Sequence, residues 1–272
     1  MTIVVLGGTG KTGSRLVKTL RGRGADVRVA TRSSGTRFDW SDPGTWAGAV
    51  AGASALYLIA PQEPEAAEPF VKQATEAGVR RLVALSGRDI ERFPGYFRGM
   101  AALDQAVRQS GAEWTIIRPN NFNQNFDDPY IWRAPLREGR LGLPIGDVPE
   151  PFVDAQDIAD VAAAALTEEG HHEQVYTLSG PRALTFRAAV AAIAEAAGHP
   201  IRYEELTPEQ YRDELLAQGA PEEAAAELNA LFAGMRAGLY AEPRDGVQRA
   251  LGRDPIDFAA YVARTASAWR LE

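Results

Sequence analysis

Ile3-Val4-Val5-Leu6-Gly7-Gly8-Thr9-Gly10-Lys11-Thr12-Gly13 decides the fold. Its first four residues are apolar and are stopped by glycine, the pattern of a short central parallel strand buried on both faces. Residues 11–22 then take helical spacing. Leu16, Val17 and Leu20 lie on one side, with lysine and arginine between them. Between strand and helix, Gly7, Gly10 and Gly13 give the spacing G-x-x-G-x-x-G. A tight turn there lets backbone N–H groups at the helix N-terminus face a pyrophosphate, so Gly7, Thr9, Gly10, Lys11, Thr12 and Gly13 are candidate cofactor-binding residues. Gly10-Lys11-Thr12 also looks like the end of a nucleotide-triphosphate loop. That motif needs a glycine five positions before Gly10, where Val5 stands, so this reading fails.

The strand–helix unit repeats outward from this turn. Gly24 closes the first helix and 27–30 reads as a second strand. Strands are expected at 55–60, 82–86 and 114–117, with helices at 65–77 and 99–109 between them. Alternation of this kind specifies an α/β fold: a doubly wound parallel sheet of the Rossmann type. After Pro119 the chain turns rich in Asn, Pro and Gly through 151. A helix at 157–166 and a returning strand near 174–179 follow. Thr185 caps an alanine-rich helix that stops at Gly198, and Thr207-Pro208-Glu209-Gln210 opens another with a partial capping box. Helices are also expected at 221–238 and 255–269. The expected division is a Rossmann domain over 1–155 and a smaller, mostly helical substrate-binding lobe over 181–272.

The end of the second strand bears on the choice of cofactor. Ala30-Thr31-Arg32-Ser33-Ser34 holds no acidic residue, and none lies between Val27 and Arg37. An acid there would hold a ribose 2′-hydroxyl and repel a 2′-phosphate. Arg32 and Ser33 can instead bind that phosphate, which favours NADP(H). Asp39 and Trp40 lie where a third strand would end and could flank the adenine; Trp40 could equally be core packing.

Composition bounds the rest. The chain has 272 residues and a formal net charge of −7, without the basic excess that accompanies nucleic-acid binding. There is no cysteine, which excludes disulfides, thiolate nucleophiles and cysteine-based metal sites. His171-His172 lies in a polar loop and lacks the i, i+4 spacing of two helical ligands. A solvated loop is expected there, and no metal site. No apolar run approaches a bilayer span and no basic segment precedes 1–6, so a cytoplasmic protein with a small-molecule substrate and no membrane partner is expected.

With those residues in view, the chain resembles the atypical NmrA-like branch of the short-chain dehydrogenase/reductase superfamily. The glycine turn and Thr31-Arg32-Ser33-Ser34 carry the likeness, together with Leu85-Ser86-Gly87, 115–119, 121–126, Phe152-Val153-Asp154 and 157–162. Phe38-Asp39-Trp40, Thr45-Trp46 and 57–61 are similar to the ergot-alkaloid festuclavine/agroclavine dehydrogenase subgroup, whose members reduce an iminium with NADPH. The resemblance implies that Ala60, Pro61, Ser86, Gly87 and Pro119 also line the cofactor site.

It further implies a catalytic Tyr-x-x-x-Lys pair. Tyr96 stands at the tyrosine position, 22 residues before Arg118, but Met100 replaces the lysine. A phenol at its reference pKa of about 10 is a poor proton shuttle near neutrality. Tyr96 is therefore a candidate acid, or else a pocket or ribose contact, and Ser86 a candidate catalytic serine. The only lysines are Lys11, Lys18 and Lys72. Two functions fit this pattern. One is an NADPH-dependent reductase of an electrophile that needs little acid help: an iminium, a quinone or an activated enone. The other is a non-catalytic NADP(H) sensor acting through a protein partner. For the reductase, Phe122, Phe126, Trp132, Phe232, Met235 and Tyr240 are candidate substrate-pocket residues, though each could be plain core.

Overall fold

The computed structural model describes residues 1–93 and 95–271. By its internal contacts the chain divides into two compact units. The first holds Met1–Pro119, Ala155–Leu178 and Asp245–Arg253. The second holds Asn120–Asp154, Ser179–Arg244 and Asp254–Glu272. The chain thus crosses between units several times; the expected division, 1–155 with a returning strand near 174–179 and a lobe over 181–272, has fewer crossings and keeps 120–154 with the sheet.

The first unit is a seven-stranded parallel sheet. Its strands are β1 (Thr2–Leu6), β2 (Asp26–Thr31), β3 (Thr36–Arg37), β4 (Ala55–Ile59), β5 (Arg81–Leu85), β6 (Glu113–Pro119) and a last strand, Gln174–Leu178. From one edge the order is β3-β2-β1-β4-β5-β6 and then that last strand. The order reverses at β1, so the β1–β4 boundary is the topological switch point where this fold class binds ligands. Val4, Val5 and Leu6 are wholly buried, as a central strand covered on both faces must be.

Helices α1 (Lys11–Gly22), α2 (Trp46–Val50), α3 (Ala67–Glu76) and α4 (Arg98–Gln109) connect the first strands. In α3, Ala67, Phe70, Val71 and Ala74 are buried at helical spacing. They join Leu56, Leu58, Leu82, Ala84 and Leu103 in one core. The α4 helix approaches the end of β4 unusually closely. A Cβ built on Gly99 would stand 1.9 Å from the Pro61 carbonyl oxygen, so only glycine permits this contact between backbones.

The second unit contains α5 (Arg133–Arg137) and β7 (Arg140–Leu143). The helix after them, α6 (Ala155–Thr167), and the last strand of the large sheet, β8 (Gln174–Leu178), return to the first unit. The second unit continues with α7 (Phe186–Ala197), β9 (Arg202–Glu205), α8 (Pro208–Ala217) and α9 (Glu222–Arg236). After α10 (Gly246–Leu251), again in the first unit, it ends with α11 (Phe258–Thr265). Thr185 caps α7 by accepting the Ala188 N–H, and Gly198 ends it in the left-handed region. At α8 the capping box of Thr207 and Gln210 forms in both directions. The unit is not only helical, because β7 and β9 pair in parallel from Arg140 opposite Arg202 to Leu143 opposite Glu205.

Its core is aromatic. The Phe126 ring lies 4.9 Å from Trp132, 5.2 Å from Phe152 and 5.4 Å from Phe258, while its carbonyl accepts the Trp269 indole N–H at 2.7 Å. Asp154 is wholly buried in this unit, paired with Arg264 and accepting from Asn123 Nδ2.

Candidate functional site

The glycine turn uses each glycine differently. Gly7 takes φ +63°, and its N–H donates to the Ala30 carbonyl at 3.1 Å. A Cβ on Gly13 would lie 2.3 Å from the Gly7 carbonyl oxygen, so Gly13 lets α1 rest directly on the turn. Gly8 is equally tight, its Cβ position 2.7 Å from Val29 Cγ1. Gly10 differs. Its backbone is extended (φ −79°, ψ −178°) and its Cβ position meets only the Gly7 oxygen, at 3.3 Å. Gly10 and Thr9 are exposed.

The α1 helix begins at Lys11 with no side-chain cap and no acidic residue in its first turn. Its first N–H groups have no carbonyl within the helix to bond, and the helix dipole adds partial positive charge there. An open glycine surface, an uncapped helix start and the switch-point location together fit a pyrophosphate. Thr12 is buried rather than open to that surface; its Oγ1 accepts from the Tyr57 hydroxyl at 3.0 Å.

At the end of β2 the turn is held by Thr31 and Ser34. Thr31 Oγ1 accepts the Ser33 and Ser34 N–H groups, and Ser34 Oγ accepts the Thr31 N–H at 2.9 Å and donates to the Thr36 carbonyl at 2.7 Å. This leaves the Arg32 and Ser33 side chains exposed beside it. Asp39 lies past β3. Hydrogen bonds from the Ser41 hydroxyl and N–H hold its carboxyl below the ordinary value, with Arg32 and Arg37 adding to the effect. Trp40 is half-buried among Phe38, Phe70 and Trp46, with ring centroids 5.1, 4.9 and 6.2 Å away. It therefore serves the aromatic core of the first unit.

Further along the same edge of the sheet are Ala60 and the buried Pro61, then Ser86 and Gly87 after β5, and Pro119 at the end of β6. The Ser86 N–H donates to Ile117 and the Arg88 N–H to Pro119, which ties the ends of β5 and β6 together. The Ser86 side chain is buried, and its Oγ has no hydrogen-bond partner among the described residues. Burial pushes the Asp104 carboxyl up from its ordinary value, against the pull of Arg118 at 2.6 Å.

Tyr96 lies just before α4. It is 43% exposed, with its ring edge-on to Phe97 at 4.8 Å. Met100 reaches the end of β5, its Sδ lying 3.5 Å from the Cβ position of Gly87. A thioether thus stands where the resemblance places an ammonium. Lys18 and Lys72 are exposed on α1 and α3, and Lys11 opens α1.

Several expected placements change. Phe126 sits in the aromatic core of the second unit, among Trp132, Phe152, Phe186 and Phe258, and Trp132 packs on Phe126 and Phe186. Phe232 is buried against Tyr211, and Met235 and Tyr240 are buried as well; Phe122 is half-buried, bridged to Val153. His171 is not solvated. Its Nδ1 lies 2.9 Å from the Tyr176 hydroxyl, and burial lowers its pKa. The polar sequence of the loop gives no sign that this imidazole turns inward. The packing roles of Gly99, against Pro61 beyond the end of β4, and of Tyr57, at the middle of β4, carried no sign in the sequence.

The fold and the turn define a dinucleotide-binding Rossmann protein. The chain belongs to the NAD(P)H-binding family, whose model matches residues 7–169, and its relatives make it a member of a group of NAD(P)H-dependent oxidoreductases. It is 31% identical to an NAD(P)H azoreductase of Xenophilus azovorans over 98% of this chain and 99% of that one. It is 28% identical to the agroclavine dehydrogenase of Claviceps fusiformis, over 99% of each chain. In fold it matches the NADPH complex of a quinone oxidoreductase from Escherichia coli, with a TM-score of 0.80 at 21% identity over 96% and 99% of the two chains. Among the described residues no helix is long and apolar enough to cross a membrane.

Proposed function

We propose that this chain is an NADPH-dependent reductase that delivers hydride to a small conjugated electrophile (an iminium, a quinone or an activated enone) without a tyrosine–lysine pair. The observation that carries this reading is Met100, set against Gly87 at the sheet edge beside a complete nucleotide turn. The reduced nicotinamide supplies the hydride when bound.

The chain's own residues bind and orient. The turn at Gly10 and the N–H groups opening α1 take the pyrophosphate, and Arg32 and Ser33 take the 2′-phosphate. Ala60, Pro61, Ser86, Gly87 and Pro119 form the floor along the sheet edge, and Met100 offers no charged donor where the resemblance places the lysine. Substrates that need no protein acid suit such an edge. An iminium is neutralised by hydride, and the oxygen of a reduced quinone takes its proton from water. A relative named as an NAD(P)H azoreductase and a fold neighbour named as a quinone oxidoreductase support acceptors of this kind.

Two measurements test this. Arg32→Ala should weaken NADPH by about 1–3 kcal/mol, the range for a lost charge-assisted hydrogen bond, and leave NADH nearly unchanged. Equal losses for both cofactors would contradict the phosphate role of Arg32. The second is NADPH oxidation against a panel of quinones, azo dyes, cyclic iminium ions and simple ketones. Turnover is expected with at least one conjugated class and not with ketones. A sensor would bind NADP(H) and oxidise none of them.

A further inference from the structure

We infer that Tyr57 is a positioning residue for the nucleotide turn, holding the first turn of α1 in place through Thr12. The inference rests on reading that turn as the pyrophosphate site. Tyr57 lies in β4, opposite Val5 of β1 and Val83 of β5, and is wholly buried. Every other residue of β4 is aliphatic, so packing alone asks for no hydroxyl at this position.

The phenol instead reaches out of the sheet to α1 and donates to Thr12 Oγ1 at 3.0 Å. Thr12 is the second residue of the helix, in the turn whose N–H groups have no carbonyl within the helix to bond. Its hydroxyl points inward to Tyr57 and caps nothing. Burial drives the phenol well above its ordinary pKa, so it stays a protonated donor across the working range.

The consequence is geometric. Gly7, Gly10 and Gly13 make the turn permissive, and a permissive turn needs an anchor if its N–H groups are to hold one direction. The contacts at Gly7 and Gly13 fix the turn against Ile59 and against itself. The Tyr57–Thr12 bond is a polar, directional tie between the helix start and the strand across the switch point. Losing it should affect the shared pyrophosphate contacts and not the discrimination between cofactors.

The test is titration of NADPH and NADH into the wild-type protein, Tyr57→Phe, Thr12→Val and the double variant, with melting temperatures in parallel. Tyr57→Phe is expected to weaken both cofactors by the same factor, about fivefold to tenfold, the equivalent of one hydrogen bond. Thr12→Val should match it, and the double variant should bind no more weakly than the weaker single one. Wild-type affinities in folded Tyr57→Phe would overturn the proposal, because a structural phenol moves only the melting temperature. Fully additive losses in the double variant, or a loss confined to NADPH, would also overturn it. If Tyr57→Phe does not fold, Thr12→Val decides alone, and unchanged affinity there counts against the proposal. Wild-type protein that binds neither cofactor would be a different failure, that of the nucleotide reading itself.

Discussion

Gly10→Val is expected to abolish binding of NADPH and NADH alike while leaving the fold intact. The backbone of Gly10 is extended and not left-handed, so a branched residue is sterically allowed there. Its Cβ would touch only the Gly7 oxygen at 3.3 Å, a contact relieved by a shift of a few tenths of an ångström. The added methyl groups would instead stand over the start of α1, where the pyrophosphate is proposed to sit. Displacing it forfeits two or more charge-assisted hydrogen bonds, a loss of more than about a hundredfold in affinity. Calorimetric titration measures this directly. Affinity within about tenfold of wild type would mean that the turn only joins strand to helix.

Gly99→Ala should cause the largest loss of stability. The added carbon would lie 1.9 Å from the Pro61 oxygen and 3.1 Å from its carbonyl carbon. Both are backbone atoms, so no side-chain rotation relieves the clash. The start of α4 must move away from the end of β4, at a cost of about 3 kcal/mol, the upper part of the range for overpacking. The movement would carry Met100 away from Gly87 as well. Gly22→Ala is the control. It ends α1, its Cβ position has nothing within 4 Å, and alanine there should be neutral or stabilising by about 0.5–1 kcal/mol. Thermal unfolding of the two variants decides the matter, and equal melting temperatures would show that α4 is not pinned at Pro61.

These two glycines also mark how far sequence reasoning reaches. Gly10 was legible because it sits in a spaced motif between an apolar strand and an amphipathic helix. Gly99 was not, because a glycine inside a helical run carries no sign of the backbone it will meet. The large sheet was legible for the same reason as Gly10: apolar runs and helical periods alternate over 3–117, and each is locally specified. The caps at Thr185, Gly198 and Thr207 were legible because capping is a matter of three or four neighbouring residues.

Strands β7 and β9 escaped notice. Each has four residues, and their pairing joins positions some sixty apart, which no local pattern encodes. The aromatic residues of 120–132 show the opposite limit. Phe126 and Trp132 are as apolar as a pocket wall must be, but apolarity does not separate a wall from a core. Only the ring contacts with Phe152, Phe186 and Phe258 do so. Tyr57 stands out in its aliphatic strand, but the sequence does not show what its hydroxyl meets; the 3.0 Å bond to Thr12 does.

The central claim is that hydride transfer here needs no protein acid, and single-turnover NADPH oxidation by Tyr96→Phe tests it most directly. The substitution keeps the ring and its edge-on contact with Phe97 and removes only the hydroxyl. A general acid contributes about 10²–10⁴-fold, so a change below about tenfold with a quinone or iminium substrate is the result expected. A thousandfold loss with cofactor affinity intact would contradict the account. It would make Tyr96 the proton donor and require that some group other than Met100 do the work of the missing lysine.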